Sequence, residues 1–248
     1  MSRRIVFEND MIVIVDVSDE LPRHRNYPHG SDARKPDGQR AINPNFRYYD
    51  RPGRKIKRVI YHHTGGGYTP NIRGLKNTAH FFTRDPVYTT IAGNRPQDPR
   101  KIRWTGNGRG WPAFGYHLFV PWEPERDQGR AVVYQCNPLD RVSWHTGSGQ
   151  NKHGLGVVFQ GWFYSSAAPR HKLGRGLVRK PSLAQMTAAY HVFCSYLQPL
   201  YDLPNSALAT HAEHGKPACP GDELSAFVRD VRRCGTNYEW HQFSELVF

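Results

Sequence analysis

The sequence predicts a fold of the α/β or α+β class, with strands and helices distributed around one sheet. Short apolar segments that favour strands recur along the chain, and segments with the apolar spacing of helices stand between and after them. Aromatic residues make up 12% of the sequence, which favours a packed core over disorder. At 248 residues, the chain is long enough for one or two domains.

Short segments rich in β-branched and aromatic residues are predicted to form the strands. They cover residues 5–7, 11–15, 58–63, 114–120, 131–135 and 154–160. The first two flank a turn-like Glu-Asn-Asp sequence and would form a short hairpin. Residues 18–56 and 84–112 are rich in turn-forming residues and show no periodicity, so we expect an extended arm and a loop-like insertion there.

The strongest helix prediction covers residues 183–200, where apolar residues recur at intervals of three and four. Ser182 and Gln185 are spaced as a capping box at its start, and Pro181 precedes them. A shorter helix is expected at 71–82. A final helix is predicted to follow Cys-Pro-Gly at 219–221, and Gly235 suits its C-terminal stop.

These elements predict one domain of catalytic size at residues 55–235, with an extension at each end. Residues 1–54 would contain the hairpin and the extended arm, and residues 236–248 would form a C-terminal tail. The 4 cysteines are scattered and form no Cys-x-x-Cys pair, which argues against both a disulfide scaffold and a zinc ribbon.

The chain carries 34 Lys and Arg against 21 Asp and Glu, a net charge of +13. This surplus would attract an anionic partner such as nucleic acid, an acidic membrane surface or a cell wall, or it merely keeps the surface soluble. The basic residues are dispersed and form no recognised module, so we expect no nucleic-acid partner. No apolar run approaches the roughly 20 residues of a membrane helix, so no transmembrane segment is predicted. The first residues include acids where a signal peptide has an apolar core, so no secretory signal is expected.

Two adjacent histidines, His62 and His63, end the predicted strand at 58–63 and precede a run of glycines. Consecutive strand residues point to opposite faces, so at most one of these imidazoles can face a site at the end of the strand. A histidine pair that is simply buried or on the surface is the alternative interpretation.

A second cluster, in the loop before the last helix, contains His211, His214, Lys216 and Cys219. Zinc binds neutral imidazole and thiolate, and a catalytic zinc site has three protein ligands and one open position. His211 and Cys219 form the natural pair, with a histidine of the first cluster as the third ligand. The alternative is a polar loop that contains a cysteine by chance.

Several segments, in order along the chain, resemble those of the zinc-dependent N-acetylmuramoyl-L-alanine amidases known as type 2 amidases. They are Tyr-His-His-Thr-Gly at 61–65, Gly-Tyr-His-Leu-Phe-Val at 115–120, Trp-His-Thr-Gly at 144–147, Gly-Leu-Gly-Val-Val-Phe-Gln-Gly at 154–161, and His211 through Cys-Pro-Gly at 219–221. The family includes phage endolysins, peptidoglycan recognition proteins and cytoplasmic recycling amidases. The resemblance spans about residues 57–230 and implies an α/β fold with a single central mixed β-sheet flanked by helices.

The resemblance also implies a ligand set. Zn²⁺ would be bound by His62, His211 and Cys219, with His63 as the second choice for the ligand from the strand. His214 does not fit the family's spacing, which suggests a loop residue.

Further roles are implied for residues near these ligands. Tyr116 would be a catalytic residue, with a core tyrosine as the alternative. Lys216 would be a second catalytic residue, although it lies three residues before the last ligand and the family's lysine lies two before. His145, Trp144 and His63 would bind substrate, with a structural hydrogen-bonding role as the alternative for His145.

The implied function is hydrolysis of the amide bond between N-acetylmuramic acid and L-alanine in peptidoglycan, by a phage endolysin or another lytic enzyme. A non-catalytic peptidoglycan-binding protein of the same fold would usually lack a zinc ligand, whereas Cys219 is retained. A muropeptide-recycling amidase would carry Asp in place of Cys219 and Glu in place of Val158. We expect a monomer that binds peptidoglycan. The protein would be made in the cytoplasm, which for a phage protein is the cytoplasm of the host, and would act on the cell wall after release.

Overall fold

The computed structural model describes residues 4–24, 50–65, 71–84, 88–90, 102–104, 111–122, 126–146, 149–163 and 180–235. Residues 25–49 of the predicted arm, most of the insertion predicted at 84–112 and the whole predicted tail at 236–248 lie outside these ranges. Within the described residues, no helix combines the length and the apolar composition required to cross a membrane.

The described strands form one large sheet and a separate ribbon. The large sheet contains β1 Arg4–Glu8, β2 Ile12–Asp16, β3 Arg58–His63, β6 Leu118–Val120, β7 Arg126–Asp127, β8 Arg130–Gln135, β9 Gly154–Phe159 and β10 Leu208–Thr210. The ribbon pairs β4 Tyr88–Thr90 with β5 Ile102–Trp104. The strands of the large sheet are ordered β1-β2-β8-β6-β9-β3-β10, and β7 pairs with β8. Parallel and antiparallel pairs both occur, so the predicted single mixed sheet is confirmed.

Two predictions about strands were wrong. The insertion at 84–112 was expected to be loop-like, but it contributes both strands of the ribbon, which are too short to show a periodic pattern. The strand predicted at 114–120 begins only at Leu118. The side chain of Asn137 donates hydrogen bonds to the carbonyls of Phe114 and Tyr116, both at 2.7 Å, so these carbonyls bond to a side chain and not to a strand ladder.

The N-terminal hairpin was predicted correctly and extends the large sheet. Asn9 shapes its turn, because the side-chain oxygen accepts hydrogen bonds from the amides of Met11 and Ile12, both at 2.9 Å. The second strand, β2, pairs in parallel with β8 and is almost entirely buried. The sheet is therefore continuous from the hairpin to the centre of the molecule.

Helices cover both faces of the sheet. They are α1 Asn71–Thr83, α2 Leu183–Tyr190, a π-helix His191–Leu197, α3 Gln198–Tyr201 and α4 Asp222–Cys234. The segment predicted as one helix at 183–200 is helical throughout, with the π-helix in its middle. Its capping box is present: Ser182 Oγ accepts from the Gln185 amide at 3.1 Å, and Gln185 Oε1 accepts from the Ser182 amide at 3.2 Å.

The core is divided by the sheet into two layers. On one face, Tyr61 of β3 packs with residues of the 183–201 segment and of α4, including Phe193 and Phe227. On the other face, Leu75 of α1 packs with Val158 of β9. The next residue after Tyr61 therefore projects towards the α1 face, at the carboxyl end of a central strand.

Candidate metal centre

The alternation of β3 separates its two histidines, as the sequence predicts. His62 is completely buried and faces the α1 side of the sheet. The ring of His63 lies on the opposite side, stacked on Trp162 with ring centroids 5.3 Å apart. Its Nδ1 accepts a hydrogen bond from the Phe163 amide at 3.3 Å. Only His62 is therefore available to the centre.

The register of β10 brings His211 beside His62. β10 runs parallel to β3, with Thr210 opposite Tyr61. The residues that come next, His211 and His62, therefore lie side by side. His211 opens a 3₁₀-helix, His211–His214, which is capped by Glu213: its Oε1 accepts from the amide and the hydroxyl of Thr210 at 3.0 and 2.8 Å. This cap holds the backbone of His211 at the end of the strand.

The loop after His211 folds back and places Cys219 beside His62 and His211. The Lys216 amide donates to the His211 carbonyl at 3.3 Å, and the Cys219 amide donates to the Lys216 carbonyl at 2.8 Å. The Cys219 thiol then accepts a hydrogen bond from the backbone amide of His63 at 3.4 Å. The thiol is thereby held against the end of β3.

The three donor groups converge. The Nδ1 atom of His62 lies 3.0 Å from Nδ1 of His211 and 3.9 Å from Sγ of Cys219, and one donor atom from each residue lies within 4.8 Å of the others. Two nitrogens bound to one tetrahedral zinc lie about 3.3 Å apart, and a nitrogen and a sulfur lie about 3.6 Å apart. The donor set therefore fits a zinc ion, and both distances from Nδ1 of His62 lie within a few tenths of an ångström of these values.

Both imidazoles are in the protonation state that a metal requires. Burial lowers the pKa of His62 well below its usual value, and the neighbouring His145 and His211 lower it further. Burial and then the Lys216 ammonium lower the pKa of His211 to about 4. Both rings are neutral near pH 7 and have a lone pair to donate.

The thiol depends on a cation for its charge. Burial raises the pKa of Cys219 to about 12, and the hydrogen bond from the His63 amide offsets only part of that rise. The residues around the sulfur therefore do not produce a thiolate at neutral pH. A bound metal ion deprotonates a coordinating thiol, so the charge on Cys219 would be coupled to metal binding.

The candidate centre lies inside a region that matches a known family. A family model described as N-acetylmuramoyl-L-alanine amidase matches residues 52–222. The chain belongs to this family. The match includes all three converging residues and confirms the type 2 amidase resemblance found in the sequence.

Several solved structures of amidases and related proteins are similar to the chain. The N-acetylmuramoyl-L-alanine amidase LysC from Clostridium intestinale URNW is 17% identical over 72% of this chain and 87% of that one, with a TM-score of 0.43. The Ph2119 endolysin from Thermus scotoductus MAT2119 bacteriophage Ph2119 is 19% identical over 76% of this chain and 90% of that one, with a TM-score of 0.45. Drosophila PGRP-LB is 14% identical over 78% of this chain and 88% of that one, with a TM-score of 0.48. A comparison with curated proteins finds no match.

The two residues to which the amidase resemblance gives catalytic roles lie near the centre. The half-buried ring of Tyr116 stands edge-on to His62, with centroids 5.0 Å apart, and also contacts Phe114. Lys216 is exposed, yet its ammonium is close enough to lower the pKa of His211. Val158 is paired in register with His62, so a valine occupies the position at which a recycling amidase would carry Glu.

The residues predicted to bind substrate are buried. His145 is 4% exposed: its Nδ1 lies 3.0 Å from Nε2 of His62, and its Nε2 lies 3.2 Å from the Gly154 carbonyl oxygen. The ring therefore lies behind His62, with a hydrogen-bond partner at each of its two nitrogens. Trp144, 7% exposed, packs with Ala113 and Trp111, and His63 is 8% exposed.

One buried residue near the centre was missed by the sequence reasoning. Arg51 donates to the carbonyls of Asn151 at 2.7 Å and Gly154 at 3.0 Å, and so ties the end of the predicted extension to the start of β9. Its Nη2 also lies 3.3 Å from Nε2 of the buried His117. The partner carbonyls lie about a hundred residues further along the chain, and a single arginine in a basic arm gives no signal of such a contact.

Proposed function

We propose that this chain is a zinc-dependent N-acetylmuramoyl-L-alanine amidase that cleaves the bond between N-acetylmuramic acid and L-alanine in peptidoglycan. The observation that carries this proposal is the convergence of His62, His211 and Cys219, two neutral imidazoles and a thiol, at the carboxyl end of β3. The family match supports amidase activity, and the donor set supports the metal.

The three ligands, Tyr116 and Lys216 would have different roles in this reaction. His62, His211 and Cys219 would hold the ion. Zinc held by such ligands supplies a bound water whose pKa is lowered to about 7 and polarises a carbonyl group. Tyr116, next to His62, would orient the water or donate a hydrogen bond to the substrate oxygen as negative charge develops on it. Lys216 would add positive charge at the rim of the site.

The retained ligand set favours catalysis over simple recognition. A receptor that only binds peptidoglycan has no need of a thiol that is buried beside two neutral imidazoles. The branch is indicated by Cys219 and Val158, which differ from the Asp and Glu of recycling amidases. We therefore propose a lytic role on the cell wall, as in phage endolysins, with access to the wall after release from the cell in which the protein is made.

The experiment is digestion of purified sacculi followed by mass spectrometry of the released fragments. An amidase produces glycan with free lactyl carboxyl groups and peptides with new L-alanine amino termini. Activity should disappear on chelation and return with about one equivalent of zinc. Cleavage of glycosidic or peptide cross-link bonds would contradict the proposed reaction, and full activity of metal-free protein would contradict the metal. Tight sacculus binding without cleavage would instead identify a receptor.

A further inference from the structure

A chain of buried hydrogen bonds leads to the metal centre from behind. The Gly154 carbonyl oxygen lies 3.2 Å from Nε2 of His145, and Nδ1 of His145 lies 3.0 Å from Nε2 of His62. The other nitrogen of His62, Nδ1, is the one that faces His211 and Cys219. The two rings of this chain are nearly perpendicular, at 90°, with centroids 5.1 Å apart.

The positions of the protons follow from the carbonyl. A carbonyl oxygen only accepts hydrogen bonds, so Nε2 of His145 must carry a proton. A neutral imidazole carries one proton, so Nδ1 of His145 is an acceptor and Nε2 of His62 is the donor to it. The single proton of His62 is then on Nε2, which leaves the lone pair on Nδ1, beside the other two ligands. The opposite arrangement would protonate Nδ1 of His62 and set a bare nitrogen of His145 against the carbonyl.

We propose that His145 is a positioning residue: it fixes His62 as the Nε2–H tautomer and so presents Nδ1 to the metal. Hydrogen bonds from a metal-ligating histidine to a partner behind it orient the ring and are commonly worth ten- to a hundredfold in metal affinity. The inference rests on the proposed zinc function, and it gives His145 a role through His62 rather than a contact with substrate.

The surroundings of His145 are shaped to hold its ring. Gly154 and Gly156 lie on the same face of β9. A Cβ at Gly156 would come within 2.6 Å of Cγ of His145, and a Cβ at Gly154 would lie 3.2 Å from its Cε1. The backbone amide of His145 donates to Oδ1 of Asn151 at 3.1 Å. The ring therefore occupies a fitted slot, and the Gly-Leu-Gly sequence of β9 provides the space.

The test compares His145→Ala with His145→Asn. The Asn oxygen branches from Cγ as Nδ1 does, so it can accept the proton of His62 Nε2, whereas Ala cannot. The first readout is zinc affinity, measured by competition with a chelator. We expect a loss of about ten- to a hundredfold for the Ala variant and recovery of part of that loss for the Asn variant. The second readout is the His62 tautomer in metal-free protein, from ¹⁵N chemical shifts of labelled histidine, which should change from Nε2–H to a mixture in the Ala variant.

A control removes another buried hydrogen bond from the same region. Ser143→Ala deletes the contact from Oγ to Nδ1 of His117 and leaves His62 untouched, so zinc affinity should stay at the wild-type value. Equal zinc affinity in the Ala variant and the wild-type protein, or an unchanged His62 tautomer in the Ala variant, would overturn the proposal. If the Ala variant does not fold, the Asn variant decides, because it must keep the tautomer. The tautomer is read without metal or substrate, so this outcome is separable from failure of the proposed amidase function.

An independent feature lies at the other end of β3. A cavity of about 530 Å³ is lined by Arg54, Lys55, Lys57, Arg58, Gln150 and His153, and we call it the cationic groove. Its four Lys and Arg residues are exposed, and none forms an ion pair within the described part of the chain. Some arginines elsewhere are paired, such as Arg130 with Glu8 at 2.7 Å and Arg141 with Asp50 at 2.7 Å.

The groove and the metal centre lie at opposite ends of β3. Arg58 and His62 are both even-numbered positions of β3 and project to the same side. At about 3.3 Å per residue, they are roughly 13 Å apart along the strand. Ile60, which lies between them on this face, is completely buried, so a polymer could reach both the groove and the centre only over the surface of the molecule. Four Lys and Arg residues around one concavity attract a ligand with several negative charges.

The structure assigns to the cationic groove the binding of an anionic polymer of the cell wall, a role that rests on the proposed function. The chemistry is recognition of anionic oxygens, from the carboxylates of peptidoglycan stem peptides or the phosphates of wall glycopolymers. A wall is favoured over nucleic acid because the residues that line the groove lie within the region, 52–222, that matches the N-acetylmuramoyl-L-alanine amidase family.

Two variants of equal charge test this site. Lys55→Glu with Lys57→Glu changes the groove, and Lys180→Glu with Arg229→Glu makes the same change of net charge at exposed positions outside it. Binding of metal-free protein to sacculi should fall about tenfold for the groove variant at low salt and far less for the control. Acid-stripped sacculi, which lack phosphate polymers, distinguish the two sources. Equal losses in both variants, or tighter binding to a DNA duplex than to sacculi, would overturn the proposal. Metal-free binding does not require amidase activity, so the two proposals fail separately.

Discussion

The two ends of β3 place opposite chemistries on one strand of six residues. At the amino end, Arg58 and its neighbours Lys57, Lys55 and Arg54 are all exposed to water. At the carboxyl end, His62 is fully buried and burial has lowered its pKa, so the same strand ends in an uncharged group with a lone pair. Residue type and burial together decide which end is suited to a metal and which to a polyanion.

This difference sets the size of effect that a substitution can have. The buried end depends on atoms placed to a few tenths of an ångström, so one change there can remove a whole function. Charges at the exposed end act together through water, where each one is screened by salt. We therefore expect single substitutions to have large effects at the carboxyl end of β3 and small effects at the amino end.

The largest effect is expected from Cys219→Ser. A serine hydroxyl is a poor zinc ligand, so the variant should lose its zinc and all measurable turnover on sacculi. Metal content is measured by elemental analysis and turnover by release of soluble fragments. The matched control is Cys234→Ser, which changes a cysteine in the last turn of α4 and should keep about one zinc per chain. Zinc retained at wild-type affinity in the Cys219 variant would remove this residue from the centre.

A smaller effect is expected from Tyr116→Phe. The change removes one hydroxyl next to His62 and leaves the ring contacts in place, so zinc should remain while kcat falls by about a hundredfold. Tyr196→Phe, a ring that packs on Phe7, is the control and should keep wild-type turnover. If kcat on sacculi is unchanged in the Tyr116 variant, its ring serves packing alone, and Lys216 becomes the first candidate to complete the site.

The sequence predicted the buried end of β3 better than its surroundings. The alternation of faces allowed only one histidine of the pair at the site, and the amidase resemblance named it as His62, together with His211 and Cys219 of the loop motif. The strand β10 was not foreseen, because three residues of Leu-Ala-Thr carry no periodic signal. Yet its register with β3 is what brings His211 beside His62.

Contacts between residues far apart in sequence could not be predicted from pattern. The place of His145 depends on two glycines of β9 that leave room for its ring, and a motif does not show which way the ring points. Arg51 depends on carbonyls that become neighbours only after folding. The cationic cluster at 54–58 is visible as charge in the sequence, but its concave shape also needs Gln150 and His153 from another loop.

Lys216→Ala should have an intermediate effect, which distinguishes charge at the rim from contact inside the centre. The side chain is exposed, so its ammonium acts on the site through partly screened electrostatics. We expect unchanged zinc content and a fall in kcat of about tenfold, smaller than that of the Tyr116 variant. Lys216→Arg should restore most of the loss, because it returns the charge. A loss as large as that of Cys219→Ser, with zinc missing, would instead mean that Lys216 holds the loop that carries the last ligand.

The smallest effect is expected from a single neutralisation in the cationic groove, such as Lys57→Gln. Lys57 is exposed and shares the groove with three other cations, so the remaining charges still attract an anionic polymer. Affinity for sacculi should fall by less than about threefold at low salt, and the difference from wild type should vanish as salt is raised. Zinc content should not change. A loss of tenfold or more that persists in high salt would show that Lys57 makes a specific, desolvated contact, and the amino end of β3 would then resemble the buried end more closely than its exposure suggests.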